Sequence, residues 1–285
     1  MGLVGVRIRT PYDPYRRRVI DPDAKSFGYK FPALDYDHTL AAYSEWLVSL
    51  RQQRRTVVNL HSAMNMHLKQ RRAKQVSFSL CPDAVHPSPT GHWLITQTLL
   101  QEIKGSATVE DVEIDATKQQ AKSGAITNLK RSGEMLSFGW RSRIPMPMDP
   151  AWDHQSIELE KVNETWNKYR LRITGLEGTK FRLIAGGQAI AEITAEEFNS
   201  GVDLLKFSDF PTVKKSADLL RTVKDRRRLV YESWRSRINR PLGRKRLDPK
   251  RIRENMMAVK GFDSIMYKLR QPVSLQIRVE PVTSQ

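Results

Sequence analysis

Asp83 and His86 are the two residues whose types and spacing best fit catalytic chemistry in this sequence. They lie three residues apart, so one tight turn can point the carboxylate and the imidazole to the same side of a loop. A carboxylate that binds one imidazole nitrogen orients the ring, and the other nitrogen can then take a proton as a general base. The pair therefore predicts half of an acyl-transfer site. The competing interpretation is that Asp83 caps a turn and His86 is an ordinary loop histidine.

A helix is predicted to begin directly after this pair. Ser88 is a candidate N-cap, and Pro89 suits the first helical position, where the missing N–H of proline costs nothing. The helix is predicted to continue to about Lys104, with one apolar side against a sheet. That side consists of Ile95, Leu99 and Ile103, with Leu100 beside them.

The stretch before the pair alternates short apolar runs with helical patterns. Leu3–Ile8 and Thr56–Leu60 are short and contain β-branched residues, which is typical of buried strands. Asp37–Gln53 and Ser62–Lys74 carry apolar residues at helical spacing. The order strand, helix, strand, helix predicts an α/β domain with a doubly wound parallel sheet. Sites in such domains lie at the carboxyl ends of the strands.

The string Asp83–His92, which reads Asp-Ala-Val-His-Pro-Ser-Pro-Thr-Gly-His, resembles the last conserved block of the SGNH (GDSL-type) serine hydrolases. The resemblance implies a flavodoxin-like fold in which Asp83 orients His86 and His86 is the general base. Tyr43–Leu47 and Val57–His61 are similar to strings that precede this block in a group of bacterial SGNH proteins. The implied activity is hydrolysis of small-molecule or carbohydrate esters by a serine esterase that needs no cofactor.

One part of the family pattern is absent from the sequence. SGNH hydrolases carry a Gly-Asp-Ser nucleophile block after the first strand, and no Gly-Asp-Ser occurs here. The nearest imitation, Gly261–Ile265, lies in a helical context. We expect that the front of the domain is missing through a misplaced start codon, a frameshift or a truncated gene, and degeneration to a non-catalytic protein is the second explanation. The chain as written is then expected to expose a sheet edge, to aggregate and to be inactive on simple acyl esters.

Composition limits the remaining chemistry. The single cysteine, Cys81, excludes an intrachain disulfide and a multi-cysteine zinc site. As a thiol nucleophile, Cys81 has no second histidine placed for it. His61 and His67 are six residues apart, so they do not share a helix face as a metal pair would. No run approaches the roughly 18 apolar residues of a membrane span. No cofactor, metal or membrane span is therefore predicted.

The second half of the chain predicts an appended β module and a helical hairpin. A proline-rich bridge at Arg143–Pro150 is the predicted boundary between residues 1–145, which the resemblance implies are the C-terminal portion of an SGNH domain, and residues 146–285. Helices are predicted over Ala116–Arg131 and Ser156–Asn167. A small antiparallel meander is predicted over Tyr169–Thr174, Lys180–Ile184 and Ala189–Thr194. Two long basic helices and a final strand are predicted over Pro211–Asn239, Asp248–Arg270 and Gln271–Val282.

Positive charge is concentrated in these two helices. The whole chain of 285 residues has a net charge of +17, and Lys206–Arg270 holds 20 Lys and Arg against 7 Asp and Glu. Such a segment can follow an anionic partner, so the alternative function is a non-catalytic protein that binds nucleic acid or an anionic glycan through residues 206–270. The simpler interpretation is that Lys and Arg cover the solvent faces of the helices.

Overall fold

The computed structural model describes residues 2–3, 33–82, 86–105, 108–238 and 248–282. The chain divides into two compact units. Unit 1 contains Met1–Ser106 and Pro150–Lys161, and unit 2 contains Ala107–Asp149 and Val162–Gln285. The boundary at residues 145 and 146 that the sequence suggests therefore falls inside unit 2, within the proline-rich bridge. A short later segment of the chain belongs to unit 1.

Unit 1 is built from two short parallel strands and the helices that follow them. Strand β1 pairs in parallel with β2, and helix α1 lies between them in the sequence, as expected for a crossover connection. The predicted order of strand, helix, strand and helix is confirmed, although each strand has only two residues and the remainder of the first predicted strand lies outside the described residues. The bounds are β1 (Gly2–Leu3), α1 (Ala33–Ser49), β2 (Val57–Val58), α2 (Leu60–Lys74) and α3 (Pro89–Glu102).

The predicted helix over Ser156–Asn167 is two short helices. Helix α4 (His154–Leu159) belongs to unit 1, and α5 (Val162–Thr165) belongs to unit 2. Lys161 separates them with a φ of 48°, a left-handed conformation that no α-helix can pass through. The continuous helix was therefore the wrong prediction.

Unit 2 contains two β-sheets. In one, four strands are ordered β10-β7-β3-β4, and the β3–β7 pair is parallel. In the other, five antiparallel strands are ordered β5-β6-β11-β8-β9. The strands are β3 (Thr108–Asp115), β4 (Gln120–Ala121), β5 (Ile126–Ser132), β6 (Met135–Ser142), β7 (Lys168–Thr174), β8 (Lys180–Ala185), β9 (Gln188–Thr194), β10 (Val202–Asp203) and β11 (Val273–Pro281).

Two sequence predictions for unit 2 are wrong in this arrangement. The predicted helix over Ala116–Arg131 is a pair of turns with strands β4 and β5, and Gln119 and Gly124 have the positive φ angles of turn residues. The predicted meander is also divided, because β7 pairs with β3 and β10 while β8 and β9 belong to the other sheet. Alternation along a strand identifies its buried face but not its partner strand.

The two sheets share one apolar core to which both contribute large side chains. Trp140 stacks on Tyr169 with 5.7 Å between ring centroids. The buried Tyr169 hydroxyl is hydrogen-bonded to Ser142 and, at 2.6 Å, to Thr212. Burial raises the pKa of Tyr169, so this hydroxyl remains a neutral hydrogen-bonding group within the core.

The predicted basic helical hairpin is confirmed. Short helix α6 (Ala195–Ser200) precedes the two long helices, α7 (Pro211–Ile238) and α8 (Pro249–Leu269). The Asn255 side chain donates to Ser233 at 3.2 Å, and Arg226 pairs with Asp263 at 2.6 Å, so α8 packs along α7. The predicted final strand is β11. Residues 239–247, which include the predicted turn, lie outside the described part of the chain.

Candidate functional site

His86 is an exposed residue that lies three positions before the first residue of α3. Its predicted partner, Asp83, lies outside the described residues, so the hydrogen bond between them stays a prediction. A solvent-exposed imidazole beside a helix start is compatible with a general base that must reach an external substrate. The described residues on either side of His86 show how the chain positions this histidine.

The start of α3 has the capping geometry that the sequence predicts. The Ser88 side chain accepts a hydrogen bond from the Gly91 backbone N–H at 3.1 Å, and Pro89 occupies the first turn. The Ser88 backbone N–H donates to the Leu80 carbonyl at 2.7 Å. This hydrogen bond joins the residues that flank segment 81–87, and it therefore limits where His86 can lie.

The buried side of α3 differs from the predicted one. Ile103 is 57% exposed, and Ile95 and Leu99 are only half-buried. The buried side instead consists of Thr90, Gly91, Trp93, Leu94, Gln97 and Thr98. The apolar period alone favoured the more aliphatic side of the helix.

Gly91 is required by the close approach of α3 to the preceding loop. A Cβ atom at this position would lie 2.6 Å from the Leu80 carbonyl oxygen and 3.0 Å from the Pro87 Cβ. Both neighbours are rigid parts of the chain, so the helix start would have to move. Glycine at this position therefore lets the first turn of α3 pack directly on the backbone that leads into the Asp83–His86 loop.

Gly91→Ala is expected to lower the free energy of unfolding of unit 1 by about 1–3 kcal/mol, as overpacking at a backbone contact does. Gly261→Ala is the matched control, because nothing lies within 4 Å of the added methyl group in the middle of α8. That control is expected to stabilise its helix by about 0.5–1 kcal/mol. Denaturant unfolding of both variants measures the difference, and equal stability of Gly91→Ala and the unaltered chain contradicts the packing argument.

A second carboxylate–imidazole pair lies at the start of α2 and was missed in the sequence. Asp37 Oδ1 is 2.8 Å from His61 Nε2 and accepts a hydrogen bond from the Asn65 side chain at 3.2 Å. His61 comes three residues after the carboxyl end of β2, where sites occur in parallel α/β sheets. The two partners are 24 residues apart, so local spacing gave no signal. Both side chains are largely buried, which suits an orienting role better than attack on a substrate.

Ser156, His67 and Glu160 form a chain of hydrogen bonds that has the order of a catalytic triad. His67 Nε2 lies 2.9 Å from Ser156 Oγ, and His67 Nδ1 lies 2.6 Å from Glu160 Oε1. Ser156 has 0% and His67 1% exposure, so no ester carbonyl can reach the hydroxyl in this structure. The Ser156 hydroxyl also donates to Asp153 at 2.8 Å, which directs its proton away from His67. We therefore infer that the hydrogen bonds of Ser156, His67 and Glu160 stabilise the fold of unit 1 and have no catalytic role.

Arg71 holds the same segment through a buried guanidinium. It donates to both carboxylate oxygens of Asp153, at 2.9 and 3.3 Å, and to Gln155 at 2.6 Å. Burial acts to raise the pKa of Asp153, but the hydrogen bonds from Arg71 and Ser156 outweigh it, and the pKa lies below its usual value. The Asp153 backbone N–H donates to Thr90 on α3 at 2.8 Å. Asp153 therefore joins α2, α3 and α4.

Among the described residues, the remaining histidines and the cysteine add no further catalytic arrangement. His38, His92 and His154 are exposed, and Cys81 is buried. In the described ranges, no group of three or more His, Cys, Asp or Glu side chains could hold a metal ion. Among the described helices, none combines the length and apolar composition that a bilayer crossing requires.

Comparison with known proteins gives a structural relative but no family. No family model matches the chain, and no curated protein matches its sequence. Among solved structures, the chain is similar to a gut microbial diltiazem-metabolizing enzyme, with a TM-score of 0.75 and 19% sequence identity. The match covers 96% of this chain and 71% of that chain. At this identity the likeness shows a shared fold, a mixed α/β architecture with one mixed and one antiparallel sheet.

Proposed function

We propose that this chain is the general-base portion of an SGNH-type serine ester hydrolase that acts on small-molecule or carbohydrate esters. The observation that carries the proposal is the exposed His86 beside the Ser88-capped start of α3, in a string that resembles the Asp-His block of that family. The fold shared with an enzyme that metabolises diltiazem supports a catalytic protein over a purely structural one.

In the proposed mechanism, His86 carries the proton through both steps. A serine on a Gly-Asp-Ser segment, which this sequence does not contain, attacks the ester carbonyl carbon while His86 Nε2 takes the hydroxyl proton. The imidazolium then gives that proton to the leaving alcohol as the carbon–oxygen bond breaks, and the acyl group remains on the serine. Water, deprotonated by His86, then attacks the acyl carbonyl carbon, and His86 returns that proton to the serine oxygen as the acyl–oxygen bond breaks. Asp83 keeps the other nitrogen, Nδ1, protonated and facing the carboxylate.

The role of Asp83 can be tested on the chain as it stands by ¹⁵N NMR of its histidines. We expect neutral His86 to carry its proton on Nδ1, because a carboxylate acceptor selects that tautomer. Asp83→Asn is expected to produce a mixture of tautomers at His86 and to leave the other histidines unchanged.

Asp37→Asn is the matched control, since its carboxylate contacts His61 instead. It should alter the His61 resonances and leave those of His86 in place. A His86 tautomer that does not respond to Asp83→Asn shows that the two side chains do not interact, and the proposed general base then loses its orienting group.

A further inference from the structure

The outward side of helix α8 carries cations and apolar side chains on one narrow arc. At 100° per residue, nine residues of α8 fall within about 120° of the helix circumference, and six of them are cationic or large apolar side chains that lie beyond the first turn. No Asp or Glu of α8 falls within this arc. The six, which we call the α8 arc, are Arg253, Met256, Met257, Lys260, Tyr267 and Lys268.

All six side chains of the α8 arc are exposed. Met257 is 66% exposed and Tyr267 is 58% exposed, although large apolar side chains on a helix are usually placed against a neighbour. The opposite side of α8 is the one that packs, through Ile252, Asn255 and Val259, which are buried. The α8 arc therefore lies on the solvent side of the hairpin.

The positive charge of the α8 arc is not neutralised by neighbouring side chains. On α7, four cations are paired with carboxylates at 2.6–3.2 Å, namely Arg221, Lys224, Arg226 and Arg228. By contrast, Arg253, Lys260 and Lys268 form no ion pair with any residue in the described ranges. These three cations therefore remain available to an external anion, and they lie beside the exposed methionines and tyrosine.

We propose that the α8 arc binds a membrane surface rich in anionic lipids, with the helix lying in the headgroup region. Lys and Arg attract acidic headgroups, while Met and Tyr side chains enter the boundary between headgroups and acyl chains. Long cationic side chains can extend to the headgroups while their stems cover apolar surface. A nucleic acid or an acidic glycan would accept the cations but would place Met256 and Met257 against polar and charged groups. The combination of side chains therefore favours lipid.

The surface is separate from the proposed ester hydrolysis, because neither His86 nor Asp83 belongs to α8. The test is co-sedimentation of the purified chain with two kinds of vesicle at an ionic strength of about 0.15 M, where distant charges are screened. One kind is phosphatidylcholine alone, and the other also contains phosphatidylserine. We expect binding only to the second kind. The Lys260→Glu, Lys268→Glu double variant should lose at least about tenfold in binding, because each basic residue near an anionic surface contributes about 1 kcal/mol. Met257→Ser should lose about fivefold through its reduced apolar burial.

The matched control reverses the same number of charges on the other helix. Lys214→Glu with Arg227→Glu changes exposed residues of α7 and gives the same net charge. This control should bind within about twofold of the unaltered chain if the α8 arc, rather than overall charge, is responsible. Equal losses in both double variants overturn the proposal, because net charge alone would then explain the binding.

Two further results would also overturn it. Equal binding to both kinds of vesicle removes the role of anionic lipid. Failure to bind either vesicle, together with retention of duplex DNA or heparin that depends on Lys260 and Lys268 but not on Met257, identifies a nucleic acid or an acidic glycan as the partner. Circular dichroism of each variant confirms that the helical hairpin is folded.

Discussion

Asp153→Ala is expected to lower the free energy of unfolding of unit 1 by about 3–5 kcal/mol. The Arg71 guanidinium is buried, with 2% side-chain exposure, and it keeps its positive charge when the carboxylate is removed. Among the described residues, only the neutral side-chain oxygens of Gln155 and Gln75 then remain as hydrogen-bond acceptors. The α4 helix also loses its N-cap, since Asp153 accepts from the Ser156 backbone N–H at 2.8 Å.

Hydrogen exchange of the α2 amides measures this loss, because α2 carries Arg71 and lies entirely in unit 1. Glu158→Ala is the control, because Glu158 pairs with His154 at 3.4 Å and both side chains are mostly exposed. Its expected cost is below about 0.5 kcal/mol. An Asp153→Ala variant with the α2 protection of the control would show that the segment at 150–161 contributes little to unit 1.

The contribution of the Asp153 carboxylate to the stability of unit 1 depends on pH. The pKa of Asp153 in the folded chain is below its usual value of 3.8, so folding favours the ionised form. The stabilising contribution is therefore fully present above pH about 5 and is lost as the pH falls through the folded pKa. The stability difference between the unaltered chain and Asp153→Asn should accordingly shrink in acid, and a difference that grows as the pH falls would contradict the assignment.

Local chemistry made some parts of unit 1 predictable from the sequence. The start of α3 was predicted correctly because Ser88 and Pro89 act on their own neighbours, within one turn of helix. The order of strands and helices was also predictable, because burial periods are properties of short segments. By contrast, the Asp37–His61 contact joins residues from two helices, and nothing in either local pattern indicates the other.

Segments that leave one unit and join another were the hardest to predict. Residues 150–161 belong to unit 1 because Asp153 pairs with Arg71 and Glu160 with His67, contacts that span 82 and 93 residues of sequence. Strand β7 was recognised from its alternation, but that alternation did not indicate that its parallel partner is β3. Such pairings depend on complementary surfaces that form only when the chain is folded, and a single sequence does not display them.

The proposed hydrolase predicts a large loss of activity when its general base is removed. The genomic DNA upstream of the Met1 codon is read in all three frames for a strand followed by Gly-Asp-Ser, and the polypeptide that joins that segment to this chain is assayed with p-nitrophenyl acetate. His86→Ala is expected to lower kcat/KM by at least about 10⁴-fold, because the serine then has no proton acceptor. Asp83→Asn is expected to cost about as much by placing the imidazole proton on the wrong nitrogen.

Asp37→Asn provides the comparison that separates catalysis from folding. It removes the Asp37–His61 hydrogen bond in unit 1 and should change kcat/KM by less than about tenfold, since neither residue transfers the proton in the proposed mechanism. The chain without a Gly-Asp-Ser segment should show no turnover that depends on His86. Two results would contradict the proposal: hydrolysis that survives His86→Ala in the longer polypeptide, or hydrolysis that is lost equally in Asp37→Asn and Asp83→Asn. Either result would mean that a different histidine takes the proton. Since His61 and His67 are buried, either of them would have to become exposed during the reaction to do so.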